Sequence, residues 1–149
     1  VKLIYCGYFG TYGAYLAAYI HAGGVVDNID ILSYHEFCQK YAERFGNMIY
    51  IGMDKGLREI YALGCKEYCG VIKRAQTGVN EMFHIGEALY YIDVTTLDDQ
   101  IPKIVQSLDR HGCLHLLSHR LFCRWFYDAC KKGKDIVHYH TEYLEEMDI

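Results

Sequence analysis

An apolar run, Lys2 to Cys6, leads into Gly7-Tyr8-Phe9-Gly10-Thr11-Tyr12-Gly13 and then into an Ala-rich stretch that closes at Ala22. No other segment constrains the fold as strongly. A short apolar run that hardly alternates suits a strand covered on both faces, the situation of a parallel strand between layers of helices. Ala14, Ala17 and Ala18 keep the following helix slim enough to lie close on a sheet, and Gly23 is placed to stop it. Three glycines between strand and helix answer one of two needs. Bare backbone lets N–H groups and a helix terminus converge on an anion, or it lets a tight turn form and the helix pack closely.

The rest of the chain repeats the alternation of strand and helix. Ser33-Tyr34-His35-Glu36 has capping-box form and predicts a helix over about 34–45 that Gly46 stops. Met48 to Met53 and Glu59 to Leu63 flank the turn signal Asp54-Lys55-Gly56 and predict an antiparallel hairpin. Tyr68, Ile72, Ala75, Val79, Met82 and Phe83 set a helical stripe over roughly 66–83, and Ala88 to Val94 reads as a strand. Asp98 or Asp99 caps a helix through Ile101 to Leu108, ended by Gly112, with Pro102 in its first turn. Cys113 to Cys130 carries a broad apolar helical face, Asp135 to His140 reads as a last strand, and Glu142 to Met147 as a polar terminal helix. The order β-α-α-β-β-α-β-α-α-β-α predicts an α/β fold of three layers, a mostly parallel sheet with an inserted antiparallel hairpin and helices on both faces. With 149 residues, one Pro and no linker-like tract, a single domain over 1–149 is expected.

Composition excludes some functions. Fifteen Lys and Arg against nineteen Asp and Glu leave a net charge of −4 with the basic residues scattered, so nucleic acid is not expected as a partner. The apolar stretches fall short of the ~18 residues of a membrane-spanning helix, so no membrane is expected either. Seven cysteines form an odd set without the framework of a small secreted scaffold, and the chain enters its first strand without a leader-like segment. A cytoplasmic location with reduced thiols is the expectation.

Three clusters carry candidate chemistry. The first is Gly7, Gly10, Thr11, Tyr12 and Gly13, a candidate cradle for a small anionic or phosphate-bearing ligand, although Gly-x-x-Gly-x-x-Gly is neither the dinucleotide fingerprint nor a P-loop. Ligands in open α/β sheets lie beyond the carboxyl ends of the strands, which adds Asp93 and Thr95 to the same edge. Ser118, in the middle of an apolar helical face, needs a partner or lines a cavity, and joins the candidate ligand residues. The second cluster is His115, His119 and Cys123, which with His111 step by four along a helix; imidazoles and a thiolate in one row can bind a transition metal. The third consists of thiols: Cys6 ends the first strand and reads as a buried strand residue, and Cys65-x3-Cys69 is a metal or redox signal without the second pair of a zinc motif. Fifteen tyrosines, with Tyr5, Tyr8, Tyr12, Tyr15 and Tyr19 crowding the first unit, suit a pocket or a protein interface.

The chain resembles a bacterial family of small α/β proteins known as a domain of unknown function, number 3189. The resemblance rests on Ile4-Tyr5-Cys6-Gly7, Ala17 to Gly23, Ile51-Gly52-Met53-Asp54, Ile60 to Gly64, Tyr91 to Thr95 and Leu117 to Leu121. It implies a bacterial cytoplasmic α/β protein and supplies no reaction or cofactor. Relatives carry a Gly-Gly-x-His-Ser-Ser type of loop where this chain has Phe9 to Ala14, so Thr11 is the remaining hydroxyl of the turn. Three readings follow: a protein that binds a small anionic ligand at the glycine loop, with or without catalysis; a noncatalytic subunit that docks a protein partner through a Tyr-rich surface; and a His/Cys metal-binding protein.

Overall fold

The computed structural model describes residues 1–112 and 114–147. The first unit folds as its sequence demands: strand β1 (Lys2–Gly7), the glycine loop, and helix α1 (Gly13–His21). Gly23 takes φ +83° just past the helix, the left-handed conformation that glycine adopts without strain. A 3-10 turn (Val26–Asn28) and helix α2 (Ile31–Tyr41) follow. The α2 cap is Asp30, three residues earlier than the expected Ser33. Its carboxylate accepts from Leu32 N and from Ser33 Oγ, at 3.3 and 2.6 Å, so Ser33 serves the cap rather than forming it.

The hairpin forms where expected, with β2 (Met48–Met53) antiparallel to β3 (Glu59–Gly64). Helix α3 (Cys69–Met82) then crosses to β4 (Leu89–Asp93), and α4 (Gln100–His111) follows with Asp99 as its cap. The sheet has four strands in the order β2-β3-β1-β4, with β1 parallel to both β3 and β4.

The expected last strand at Asp135 to His140 is absent. Helix α5 runs unbroken over His115–Glu146, taking in that segment and the expected terminal helix. The residues it buries, including Phe122, Trp125, Phe126, Ala129, Gly133, Val137 and Leu144, recur at steps of three, four and seven. That period keeps one face on the sheet, and it overrides the β propensity of Ile136 and Val137. Cys113, the expected start of this helix, lies outside the described residues.

The pleat sorts the side chains by face. Leu3, Tyr5, Ile60, Ala62 and Ile92 pack with Ala14, Ala17, Ala18, Val137 and Leu144 of α1 and α5. Ile4, Cys6, Leu63 and Cys65 face α3, and with them stand Tyr61, Cys69, Ile72 and Tyr91. A second layer beyond α1 joins α2, α4 and α5 around Tyr12, Tyr34, Phe122 and Trp125. The two faces are unequally covered, since α3 buries none of its residues completely. No helix of the described residues is long and apolar enough to cross a membrane.

The chain leaves β1 toward α1 on one face and leaves β3 toward α3 on the other. The crevice between the carboxyl ends of these adjacent strands is therefore the topological switch point, where open α/β sheets place their ligands.

Candidate functional site

The glycine loop closes around a side chain of the same protein. Asp98 is buried, and its Oδ1 accepts from Gly13 N at 2.7 Å while its Oδ2 accepts from Phe9 N at 3.1 Å. The Tyr8 backbone N–H adds to the set. Burial pushes this carboxyl up to about 7, and the three backbone donors hold it from rising further. The N–H groups of the loop and of the first residue of α1 thus hold a carboxyl group supplied from 85 to 89 residues away.

Asp98 also accounts for two glycines. A Cβ on Gly7 would lie 2.6 Å from Asp98 Oδ2, and one on Gly13 would lie 2.8 Å from Oδ1. Gly10 meets a different neighbour. Its Cβ would stand 2.8 Å from Gly64 N, and a Cβ on Gly64 would stand 2.5 Å from Gly10 N, so two backbones meet across the crevice with no room for a side chain.

Thr11 and Tyr12 are buried beneath the same loop. The Tyr34 hydroxyl donates to the carbonyls of both, at 2.8 and 2.7 Å, and Tyr12 OH donates to Gln106 at 3.3 Å. Thr11 Oγ1 is buried without a hydrogen-bond partner. Asp93 and Thr95 stand on the same sheet edge, paired with each other: Asp93 Oδ1 accepts from Thr95 N at 2.9 Å and from Thr95 Oγ1 at 2.7 Å. Tyr5 and Tyr12 are fully buried, and Tyr8, Tyr15 and Tyr19 are half-buried. Much of the tyrosine crowd therefore builds the core.

Ser118, His119 and Cys123 lie elsewhere, where α2, α4 and α5 meet. Ser118 Oγ donates to Asp109 Oδ1, and Asp109 Oδ2 accepts from His35 Nε2 at 3.0 Å. With its proton on Nε2, His35 offers Nδ1 as an acceptor to His119 Nδ1 at 3.1 Å, and His119 Nε2 stands 3.5 Å from Cys123 Sγ. The result is a relay of carboxylate, two imidazoles and a thiol, with His35 stacked on Phe122. Burial draws the His35 pKa down. His115 lies beside this relay, on a cavity of about 290 Å³ that Asp109 and Arg110 also line.

Sulfurs converge at the switch point. Cys6 is the last residue but one of β1, Cys65 follows β3 and Cys69 opens α3, and among the described residues these three bring their Sγ atoms within 4.8 Å of one another. Cys6 and Cys65 are buried and Cys69 is half-buried. Cys65 Sγ is also 3.3 Å from the Gly7 carbonyl, which ties the trio to the glycine loop. Hydrogen bonding from Cys6 draws the Cys65 thiol down against the effect of burial. The same contact and burial push Cys6 up, and burial pushes Cys69 up. Asp93 is the register partner of Cys6 across β1 and β4, and so shares its face of the sheet.

The sequence signals for this group were Cys65-x3-Cys69 and a thiol at the end of the first strand. What joins them is the β1–β3 register, which pairs Cys6 with Leu63 and so carries Cys65 just past the end of β1.

The molecule is thus a small α/β protein with a thiol crevice at the switch point of a four-stranded sheet. Residues 2–140 match the model of the family described as Protein of unknown function (DUF3189), and the chain belongs to that family. No curated protein and no solved structure matches the chain.

Proposed function

We propose that this protein binds a thiophilic metal ion, Zn²⁺ or Cu⁺ in class, through Cys6, Cys65 and Cys69. The observation that carries the reading is the convergence of three sulfurs within 4.8 Å from one strand, the residue after another and a helix start. Soft thiolates select these ions over Mg²⁺ or Ca²⁺, and three protein ligands leave a coordination position for solvent or a substrate, as catalytic zinc sites do. The start of α3 at Cys69 favours the negative charge that bound thiolates bring. An external anion at the glycine loop would compete with Asp98 for the same N–H groups, which favours the thiol side of the crevice over the loop itself.

Elemental analysis tests the reading. Protein purified without chelator, incubated with zinc and desalted is expected to hold one zinc per chain. Cys65→Ser and Cys69→Ser are expected to lose it, and His119→Ala to keep it. A zinc content far below one per chain after this loading, or one unchanged in both cysteine variants, would remove the proposal.

A further inference from the structure

Where α2, α4 and α5 meet, the hydrogen bonds of one relay decide which nitrogen carries each proton. His35 Nε2 stands 3.0 Å from Asp109 Oδ2, and both side chains are buried, so the carboxylate fixes the hydrogen of His35 on Nε2. Burial draws the pKa of this imidazole down and keeps the ring neutral. Its Nδ1 is then bare and accepts from His119 Nδ1 at 3.1 Å. The hydrogen of His119 is thereby committed to Nδ1, and its Nε2 presents a lone pair to Cys123 Sγ, 3.5 Å away. About one turn of α5 separates the two residues, which sets base and thiol side by side on one helix face.

Cys123 and His119 are both half-buried, whereas Cys6, Cys38, Cys65 and Cys130 are buried. A thiol with a neutral imidazole at its side and access to solvent meets the two conditions of a nucleophile. Its place in the helix narrows what it can attack. Cys123 lies inside α5, where each backbone N–H is taken by the carbonyl four residues back. An oxyanion formed on an acyl group would find no free backbone donor from this helix. Thiol–disulfide exchange makes no such demand, because the thiolate attacks at sulfur and the charge leaves on the departing thiolate.

We propose that Cys123 is a nucleophilic thiol that exchanges with a low-molecular-weight disulfide, with His119 as its general base and His35 and Asp109 as positioning residues. His119 Nε2 takes the Sγ proton, Sγ attacks one sulfur of the disulfide, and the old S–S bond breaks as the new one forms. The departing thiolate takes the proton from His119. Cys123 is left oxidised in a mixed disulfide, and the small disulfide is reduced to one released thiol and the half that Cys123 retains. The titratable groups of the relay are His119 on the same helix, His35 of α2 and Asp109 of α4, and the charge of His115 acts on His35. The site uses none of the sulfurs of the thiol crevice and is independent of it.

Reaction of the full chain with glutathione disulfide, followed by mass spectrometry of tryptic peptides, tests the proposal. Trypsin isolates Cys123 in the peptide 121–124, between Arg120 and Arg124, so its modification is read apart from that of every other cysteine. At pH 7 this peptide is expected to gain one glutathionyl group, and His119→Ala is expected to slow the gain at least about tenfold. Asp109→Asn, which loosens the hold on the His35 tautomer, is expected to slow it about threefold. At pH 9.5 a thiol ionises without a base, so both deficits are expected to shrink to about twofold or less. No mixed disulfide at Cys123 at pH 7 would overturn the proposal. So would a His119→Ala rate equal to that of the unaltered protein at pH 7, or a deficit as large at pH 9.5 as at pH 7, which marks lost shape rather than a lost base.

Discussion

At the carboxyl end of the sheet, backbone N–H groups close on Asp98, and Gly10 and Gly64 bring two loops into backbone contact. At the amino end, His21 and Asp54 stand 3.5 Å apart on the wall of a cavity, with a buried N–H unpaired. The two ends share one polypeptide and one core, yet at the first Asp98 takes up the loop's backbone donors and leaves Thr11 Oγ1 unpaired beside them, whereas at the second His21 Nε2 faces the Asp54 carboxylate at 3.5 Å. Through Asp98 the loop joins the β1–α1 unit to the segment that leads into α4. Beside that joint lie the three thiols, Cys6 and Cys65 buried and Cys69 half-buried.

The comparison breaks most visibly at Asp98. Asp98→Ala leaves three buried backbone donors without an acceptor and is expected to cost about 4 kcal/mol, read from urea unfolding. A loss under about 1 kcal/mol would mean that water or another group already serves the loop. The same residue sets a pH dependence. The folded state holds the Asp98 proton up to about pH 7, whereas the unfolded chain releases it near 4. The folded state binds more protons between these values, so stability is expected to fall as pH rises from about 4 to about 7. That slope should be absent from Asp98→Asn.

Next in size is Gly64→Ala. Its Cβ would stand 2.5 Å from Gly10 N, a backbone atom that cannot swing aside, and the expected cost is about 2–3 kcal/mol in the same measurement. If zinc loading is lost along with the stability, the joint also sets the thiol geometry. The smallest effect is expected at the amino end. Tyr5→Phe strips His21 Nδ1 of its donor at a cost of about 1 kcal/mol. It leaves the glycine loop untouched, so the urea midpoint should move less than in Gly64→Ala.

The sequence made the frame of this molecule readable and left its joints hidden. β1, the glycine loop and α1 follow from local pattern, as do the β2–β3 hairpin and the Asp99 cap. Asp98 was visible only as an alternative cap, because its partners, Phe9 and Gly13, are 89 and 85 residues away and nothing local records them. His35 and Asp109 escaped notice for the same reason: each lies on a helix whose own pattern gives no sign of the other. The error at Asp135 to His140 had the opposite origin, a strong local signal in Ile136 and Val137 that the longer helical period overrode. Local physics sets elements, and register sets sites.

Cobalt substitution tests the central claim most directly, because a thiolate bound to Co²⁺ gives a charge-transfer absorption whose strength grows with the number of sulfurs. Titrated with Co²⁺ under reducing, oxygen-free conditions, the protein is expected to develop this band to saturation at one equivalent. Each of Cys6→Ser, Cys65→Ser and Cys69→Ser should reduce the band by about a third or more, and Cys123→Ser should leave it intact. A band that survives all three substitutions, or none at all in the unaltered protein, would contradict the account.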